Sequence, residues 1–388
     1  ISNLNSFAQI DNYFEKTINY AKVVVLRLFG DKGTWSYGIE KLIKWQELKI
    51  NRTLLVLSGT EEEDLSLNEL SSINLDTSIK ITKLLRSGGR ENYRRFLYCL
   101  NYLFANDTNI PNKYISSISY PDPYLYDWKK EKGIKVGIIS YKSLFLANEI
   151  KLSKELISQL RSEGLSPKTV FISTLKDFKI QEELINLFKE EDIKLLITTT
   201  SFSSSLNSSN ETGDKSLNIF SSLNLPILQI LSCNKSREDW MNSSTGMNPT
   251  DLLMQVIIPE FDGRITTKPS AFKEVISINK TLCSNITSYK VDNKNIKWVT
   301  RLANNYVKLN KLCNFDKKIS IVIANYPVKN GRIGNGVGLN TPESLLNILY
   351  WLKDEGYDLG SRELPKNTSE LMSLFIKART NDIESQNN

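Results

Sequence analysis

The sequence predicts an α/β fold of successive doubly wound, mostly parallel-sheet domains. Three observations carry that expectation. Short β-branched apolar runs alternate with longer helical patterns along the chain, which is how parallel sheets covered by helices read. At 388 residues the chain is too long for one ordinary domain. Near the C-terminus a buried-strand pattern, a glycine-rich loop and a helix start follow one another directly, the order in which Rossmann- and flavodoxin-like sheets build anion sites.

Taken in order, strands are expected at 23–28, 54–58, 134–140, 170–173, 193–198, 227–231, 256–258 and 319–324. Helices are expected at 35–47, 89–104, 147–163, 181–190, 295–312 and 343–356. Between 109 and 132, three prolines, several tyrosines and the charged string WKKEK interrupt the periodicity and read as a linker. The expected organisation is an N-terminal α/β domain at 1–120, a second at 133–318, and the start of a third at 319–388. That last unit has barely one βα repeat, so the natural polypeptide is expected to continue. Residues 201–222 are rich in Ser and Asn and predict a mobile surface loop.

Composition narrows the chemistry. Hydrophobic residues make up 40% and charged residues 24%, values of a globular chain rather than a disordered one. The longest apolar runs, such as 23–28 and 54–57, are too short to span a bilayer, so no membrane span is expected. The N-terminus carries no signal-peptide pattern, and a cytoplasmic location is expected. Lysine and arginine number 50 against 43 acidic residues, a net charge of +7 that suits a soluble surface or an anionic partner. Basic residues do not cluster in runs, so nucleic acid is not expected. The chain has no histidine, which removes Ser-His-Asp and Cys-His nucleophile systems and imidazole acid–base chemistry. Proton transfer would fall to Asp, Glu, Lys, Tyr or water. Cys99, Cys233, Cys283 and Cys313 are widely separated and give neither a zinc spacing nor a disulfide framework.

Three segments could carry chemistry. The first is the loop holding Gly331, Gly334, Gly336 and Gly338, after Asn325-Tyr326-Pro327 and before Thr341-Pro342-Glu343. It contains no Walker A string and misses G-x-G-x-x-G by one residue, so it reads as a tight strand-to-helix turn or a ligand-facing loop, not a nucleotide site. The second is Glu260, Asp262, Arg264 and Lys273, expected beyond the end of strand 256–258. Glu260 and Asp262 would share one strand parity and could hold a hard cation or accept a proton; alternatively Asp262-Gly263 is a turn and Arg264 its ion-pair partner. The third is Gly88-Gly89-Arg90, either an anion-accepting helix start or a C-cap followed by a solvated helix.

These strings together resemble the CobN / magnesium-chelatase H-subunit family, large subunits of ATP-dependent chelatases that insert a metal into a tetrapyrrole. The resemblance rests on residues 23–42, SGGRENYRRFL at 87–97, 136–143, TTTSF at 198–202, 226–240, IIPEFDGRITTKPSAFKE at 257–274 and 324–357. The loop GRIGNGVGL is similar to the cobaltochelatase branch; the magnesium branch, with Mg²⁺ and protoporphyrin IX, is the alternative. Asn340 stands where that branch usually has Asp, and Lys142 where it has Arg. The resemblance implies a tetrapyrrole-binding large subunit taking Co²⁺ as substrate for hydrogenobyrinic acid a,c-diamide, with ATP hydrolysed by two AAA+-type partner subunits and not bound by this chain. On that reading Glu260 and Asp262 are the catalytic candidates, and Arg264, Lys273, Asn325, Gly334, Gly336 and Gly338 the substrate-binding ones. A non-catalytic two-domain anion-binding module and a sugar-nucleotide transferase are the competing readings.

Overall fold

The structure, a computed structural model, describes residues 4, 6–59, 64–201, 218–281, 284–323, 333–334 and 336–377. The chain divides into two compact units, Ile1–Ala303 and Asn304–Asn388. Helices interleave with strands that pair mainly in parallel, the α/β class expected from the sequence.

The first unit contains two sheets. Strands β1 (Val23–Leu28) and β2 (Thr53–Ser58) form a two-stranded parallel sheet. Every residue of β2 is buried, because helices lie on both of its faces. Leu54 and Val56 pack with Ile39, Leu42 and Trp45 of helix Ser36–Glu47. Leu55 and Leu57 pack with Leu84 of helix Leu75–Ser87 and with Cys99 and Leu103 of helix Arg90–Phe104. Burial on both faces is why this strand reads as an unbroken apolar run. Hydroxyls finish the far edge of β2: Ser72 Oγ accepts from Leu54 N–H and Ser71 Oγ from Val56 N–H, both at 2.9 Å.

The second sheet has seven strands: β3 (Tyr124–Tyr126), β4 (Ile134–Tyr141), β5 (Leu165–Ile172), β6 (Leu195–Thr198), β7 (Ile227–Cys233), β8 (Ile265–Asn279) and β9 (Ser284–Val291). Their order is β3-β5-β4-β6-β7-β8-β9. The five central strands are parallel, and the edge strands β3 and β9 are antiparallel to their neighbours. Numbered along the chain, the parallel set runs 2-1-3-4-5, the flavodoxin-like order. Chain direction reverses across the sheet at β4, so right-handed crossovers place helices Lys151–Ser162 and Phe178–Glu190 on opposite faces. Gly137 sits beneath the second of these; a Cβ there would stand 2.7 Å from Leu196 Cδ2 and 3.4 Å from Phe188.

Several elements differ from expectation. The run at 256–258 is not a strand: it lies in a π-turn, Leu253–Ile257, and the helical turn Ile258–Glu260. The helix starts at Asn248, whose side chain accepts from Asp251 N–H, with Pro249 in the first turn. Pro259 has no N–H to give to the preceding turn, which is compatible with the wider π pitch beside it. The Gln255 amide then pairs both backbone groups of Ser232, at 2.7 and 2.6 Å, in the place a neighbouring strand would take. The expected linker at 109–132 holds the short helix Asn112–Ile115 and the edge strand β3.

In the second unit, residues 319–323 form no strand pairing, and Ala324 lies outside the described residues. Ile319, Ile321 and Val322 are exposed there, with no neighbouring strand among the described residues. Helices Thr341–Asp354 and Thr368–Lys377 pack together, burying Leu345 and Leu371, and Tyr350 Oη donates to Pro365 O at 3.2 Å.

Candidate ligand-binding site

A cleft of about 720 Å³ opens in the first unit where the carboxyl ends of β1, β2, β4 and β5 come together. Arg27 and Phe29 enter it from β1, Gly59 from β2, Lys142 from β4 and Ser173 from β5. Ligands of open α/β sheets bind at this end of the strands. Lys83 and Arg86 reach the cleft from one face of helix Leu75–Ser87. Against these four cations the described lining offers one carboxylate, Asp122. Both oxygens of Asp122 accept from Ser173 N–H at 3.2 Å, and Lys142 Nζ lies 3.6 Å away. Lys142 also donates to Tyr120 O at 2.9 Å. Among the described residues neither Arg27 nor Lys83 has an ion-pair partner; Arg27 donates to Gly59 O at 3.3 Å.

Two adjacent glycines let the walls close in. Gly88 (φ 62°, ψ −169°) ends one helix and Gly89 (φ 83°, ψ 152°) caps the next, a conformation that side chains exclude. A Cβ on Gly88 would lie 3.0 Å from Leu146 Cδ1, and one on Gly89 3.0 Å from Tyr120 Oη. Buried Asn92 ties the floor: its amide donates to Gly88 O and Ile118 O and accepts from Ile118 N–H. Of the glycine pair read from the sequence, Gly88 is therefore both a C-cap and part of the cleft, and Gly89 opens the following helix.

Beside the cleft, the strand reversal at β4 carries a net of hydroxyls. Thr199 Oγ1 donates to Ser140 Oγ at 3.0 Å, the Thr198 and Thr200 hydroxyls meet at 2.7 Å, and Tyr141 Oη donates to Ser201 O at 2.6 Å. Burial pushes the Tyr141 phenol up to about 12, so it stays a donor. Arg264 fastens this crest from β7 and β8. Its guanidinium donates to Thr200 O at 2.9 Å, Thr200 Oγ1 at 3.3 Å, Gln229 Oε1 at 3.1 Å and Asp262 Oδ2 at 2.7 Å. Its carbon end lies over the Phe220 ring, 4.6 Å from the centroid. Burial draws the guanidinium below its ordinary value, while the Asp262 carboxylate opposes that shift.

The residues expected from sequence thus fall in different places. Arg264 and Asp262 have 0% side-chain exposure and face each other, the ion-pair arrangement rather than the strand-parity one. Glu260 is exposed in the last helical turn and does not share a strand with Asp262. Lys273 is exposed on β8. Gly334 (φ 70°) and Gly338 (φ 75°) turn the loop of the second unit, Gly336 bridges to Leu339, and Asn325 lies outside the described residues. Asn340 caps helix Thr341–Asp354, a task Asp performs equally. Most of the Ser-rich segment at 201–222 lies outside the described residues. Sequence reasoning did not bring Arg27, Lys83 and Lys142 together, because they sit on three elements far apart in the chain. The strand-end position of Arg27 and Lys142 was the available signal. Among the described residues no three His, Cys, Asp or Glu side chains group to hold a metal ion, and no helix is long and apolar enough to cross a membrane.

Comparison with known proteins fits this architecture. The CobN/Magnesium Chelatase family matches residues 82–388. The aerobic cobaltochelatase subunit CobN of Pseudomonas aeruginosa is 29% identical over 98% of this chain and 30% of its own length. The magnesium-chelatase H-subunit of Rhodobacter capsulatus is 24% identical over 62% of this chain and 20% of its own. The solved catalytic subunit of cobaltochelatase from Mycobacterium tuberculosis superposes with a TM-score of 0.63 at 23% identity, covering 96% of this chain and 30% of that one, and so shares its fold. The chain thus spans about three tenths of the cobaltochelatase relative's length.

Proposed function

Because the chain belongs to the CobN/Magnesium Chelatase family, we propose that it is a tetrapyrrole-holding part of the large subunit of an ATP-dependent cobaltochelatase. In this reading the full-length protein inserts Co²⁺, as substrate, into hydrogenobyrinic acid a,c-diamide during cobalamin biosynthesis. Two AAA+-type partner subunits hydrolyse the ATP, and the assembly works in the cytoplasm. The observation that carries the reading is the cationic cleft at the strand ends, sized for a large ligand and with one carboxylate among its described lining residues. Cobalt is favoured over magnesium because the CobN relative matches nearly the whole chain and the magnesium-chelatase relative about three fifths of it.

The residues of this chain hold and orient the ring rather than perform acid–base chemistry on it. Arg264 and Asp262 contribute by fixing Thr200 and Gln229 at the crest. Glu260 and Lys273, being exposed, are free to meet ligand or another part of the full-length protein. The glycine loop around Gly334, Gly336 and Gly338 is a second ligand-facing element on this reading. Metal insertion requires the rest of the large subunit and both partners, so these 388 residues alone are inactive. Titration with a tetrapyrrole while following tryptophan fluorescence tests the proposal. A saturable quench is expected, and a nucleotide sugar is expected to cause none. A response to the nucleotide sugar and none to any corrin or porphyrin would move the chain to the transferase reading.

A further inference from the structure

We infer that the cleft at the ends of β1, β2 and β4 recognises the ring by its peripheral carboxylates, taking at least one on each wall. The inference rests on the tetrapyrrole reading and names the chemical groups that this site selects. One wall carries Arg27 and Lys83; the other carries Lys142. Two of these three cations meet no carboxylate among the described residues, and the third shares Asp122 with the Ser173 amide. Such an excess of like charge around a recess raises its potential and draws in anions. A ligand with a single negative group satisfies one wall and leaves the other repelled. A ring with carboxylates spaced around its rim satisfies both, so amidation of those groups removes the attraction.

Phe29 supplies the complementary feature. It stands in the cleft at the end of β1 with 71% of its surface exposed, and the Arg27 guanidinium lies 5.6 Å from its ring centroid. An exposed aromatic face beside cations that meet no carboxylate among the described residues suits a flat, conjugated, polyanionic molecule better than a phosphate or a simple sugar. Stacking reads the ring, and the cations read its rim. These contributions are separable by substitution.

The test uses the 388-residue chain, a water-soluble porphyrin polycarboxylate, and the same porphyrin with its carboxylates converted to amides, with binding followed by fluorescence. The wild-type chain is expected to bind the carboxylate form at least about 10-fold more tightly, and increasingly so at low salt. Lys83→Gln, at an exposed position, and Lys142→Gln should each lower affinity for the carboxylate form about 10-fold and leave the amide form unchanged. Phe29→Ala should weaken both forms alike. Equal affinity for the two forms, or Lys83→Gln and Lys142→Gln variants that bind the carboxylate form as the wild type does, would overturn the inference and leave the tetrapyrrole reading standing. If neither porphyrin binds but benzene-1,3,5-tricarboxylate does, and Lys83→Gln abolishes it, the carboxylate site stands and the tetrapyrrole reading falls. No binding of any of the three overturns both.

Discussion

Replacing Arg264 by methionine removes the cation that four elements converge on. Arg264 and Asp262 are 2.7 Å apart with no side-chain exposure, and the guanidinium also serves Thr200 and Gln229. Breaking one side of a buried ion pair costs about 3–5 kcal/mol, mainly because the remaining charge stays in a poorly polarisable interior. Asp262→Asn together with Arg264→Met removes that charge and should recover at least half of the loss. Urea unfolding followed by tryptophan fluorescence measures both variants. A single-variant deficit below about 1 kcal/mol, or a double variant no more stable than Arg264→Met alone, refutes the reasoning.

Two further outcomes are expected. Gly88→Ala and Gly89→Ala each place a Cβ in a glycine-only conformation and 3.0 Å from a neighbour, and should cost about 1–3 kcal/mol in thermal unfolding; a change under about 0.5 kcal/mol for both would show that the walls give way. Of the three described cysteines, exposed Cys313 should take up a thiol reagent at pH 8 well before Cys99 and Cys233, whose thiols burial pushes up to about 11. Peptide mass spectrometry showing Cys99 or Cys233 modified first in the folded chain would contradict the packing described.

Most of the parallel core was legible because strands buried on both faces leave continuous apolar runs. The run at 23–28 coincides with β1, and 134–140 falls one residue short of β4. Strand β5 starts five residues before the expected 170, since Pro167 and Lys168 read as interruptions. Pro167 lies beyond the stretch Thr169–Phe171 that β3 covers, and Lys168 is buried with its ammonium donating to Lys129 O at 2.6 Å. The run at 256–258 misled for the opposite reason: its residues suit a strand, but the local helix start at Asn248-Pro249 carries the chain through it, and the Gln255 bonds to Ser232 form only on folding. Strands β8 and β9 escaped notice because polar and charged residues interrupt them and their apolar residues Val275, Ile276, Ile278 and Ile286 stand exposed on the outer halves. At the site, chemistry was visible in the residue types of the 260–273 segment, but burial decides roles. Arg264 turned inward, while Arg27, Lys83 and Lys142 met only through folding.

Strand β8 changes neighbours along its length, from β7 in parallel at Ile265–Phe272 to β9 alone beyond it, with a bulge between Val275 and Ser277. One backbone thus passes from the interior of a seven-stranded sheet into a ribbon that projects past the end of β7. Tension applied to that ribbon along the strand direction would load the β7–β8 bonds together, in shear. Tension applied across it would open the ribbon one bond at a time, starting from its tip. The hairpin is therefore stiff to pulling and compliant to bending, and the bulge marks where that compliance begins.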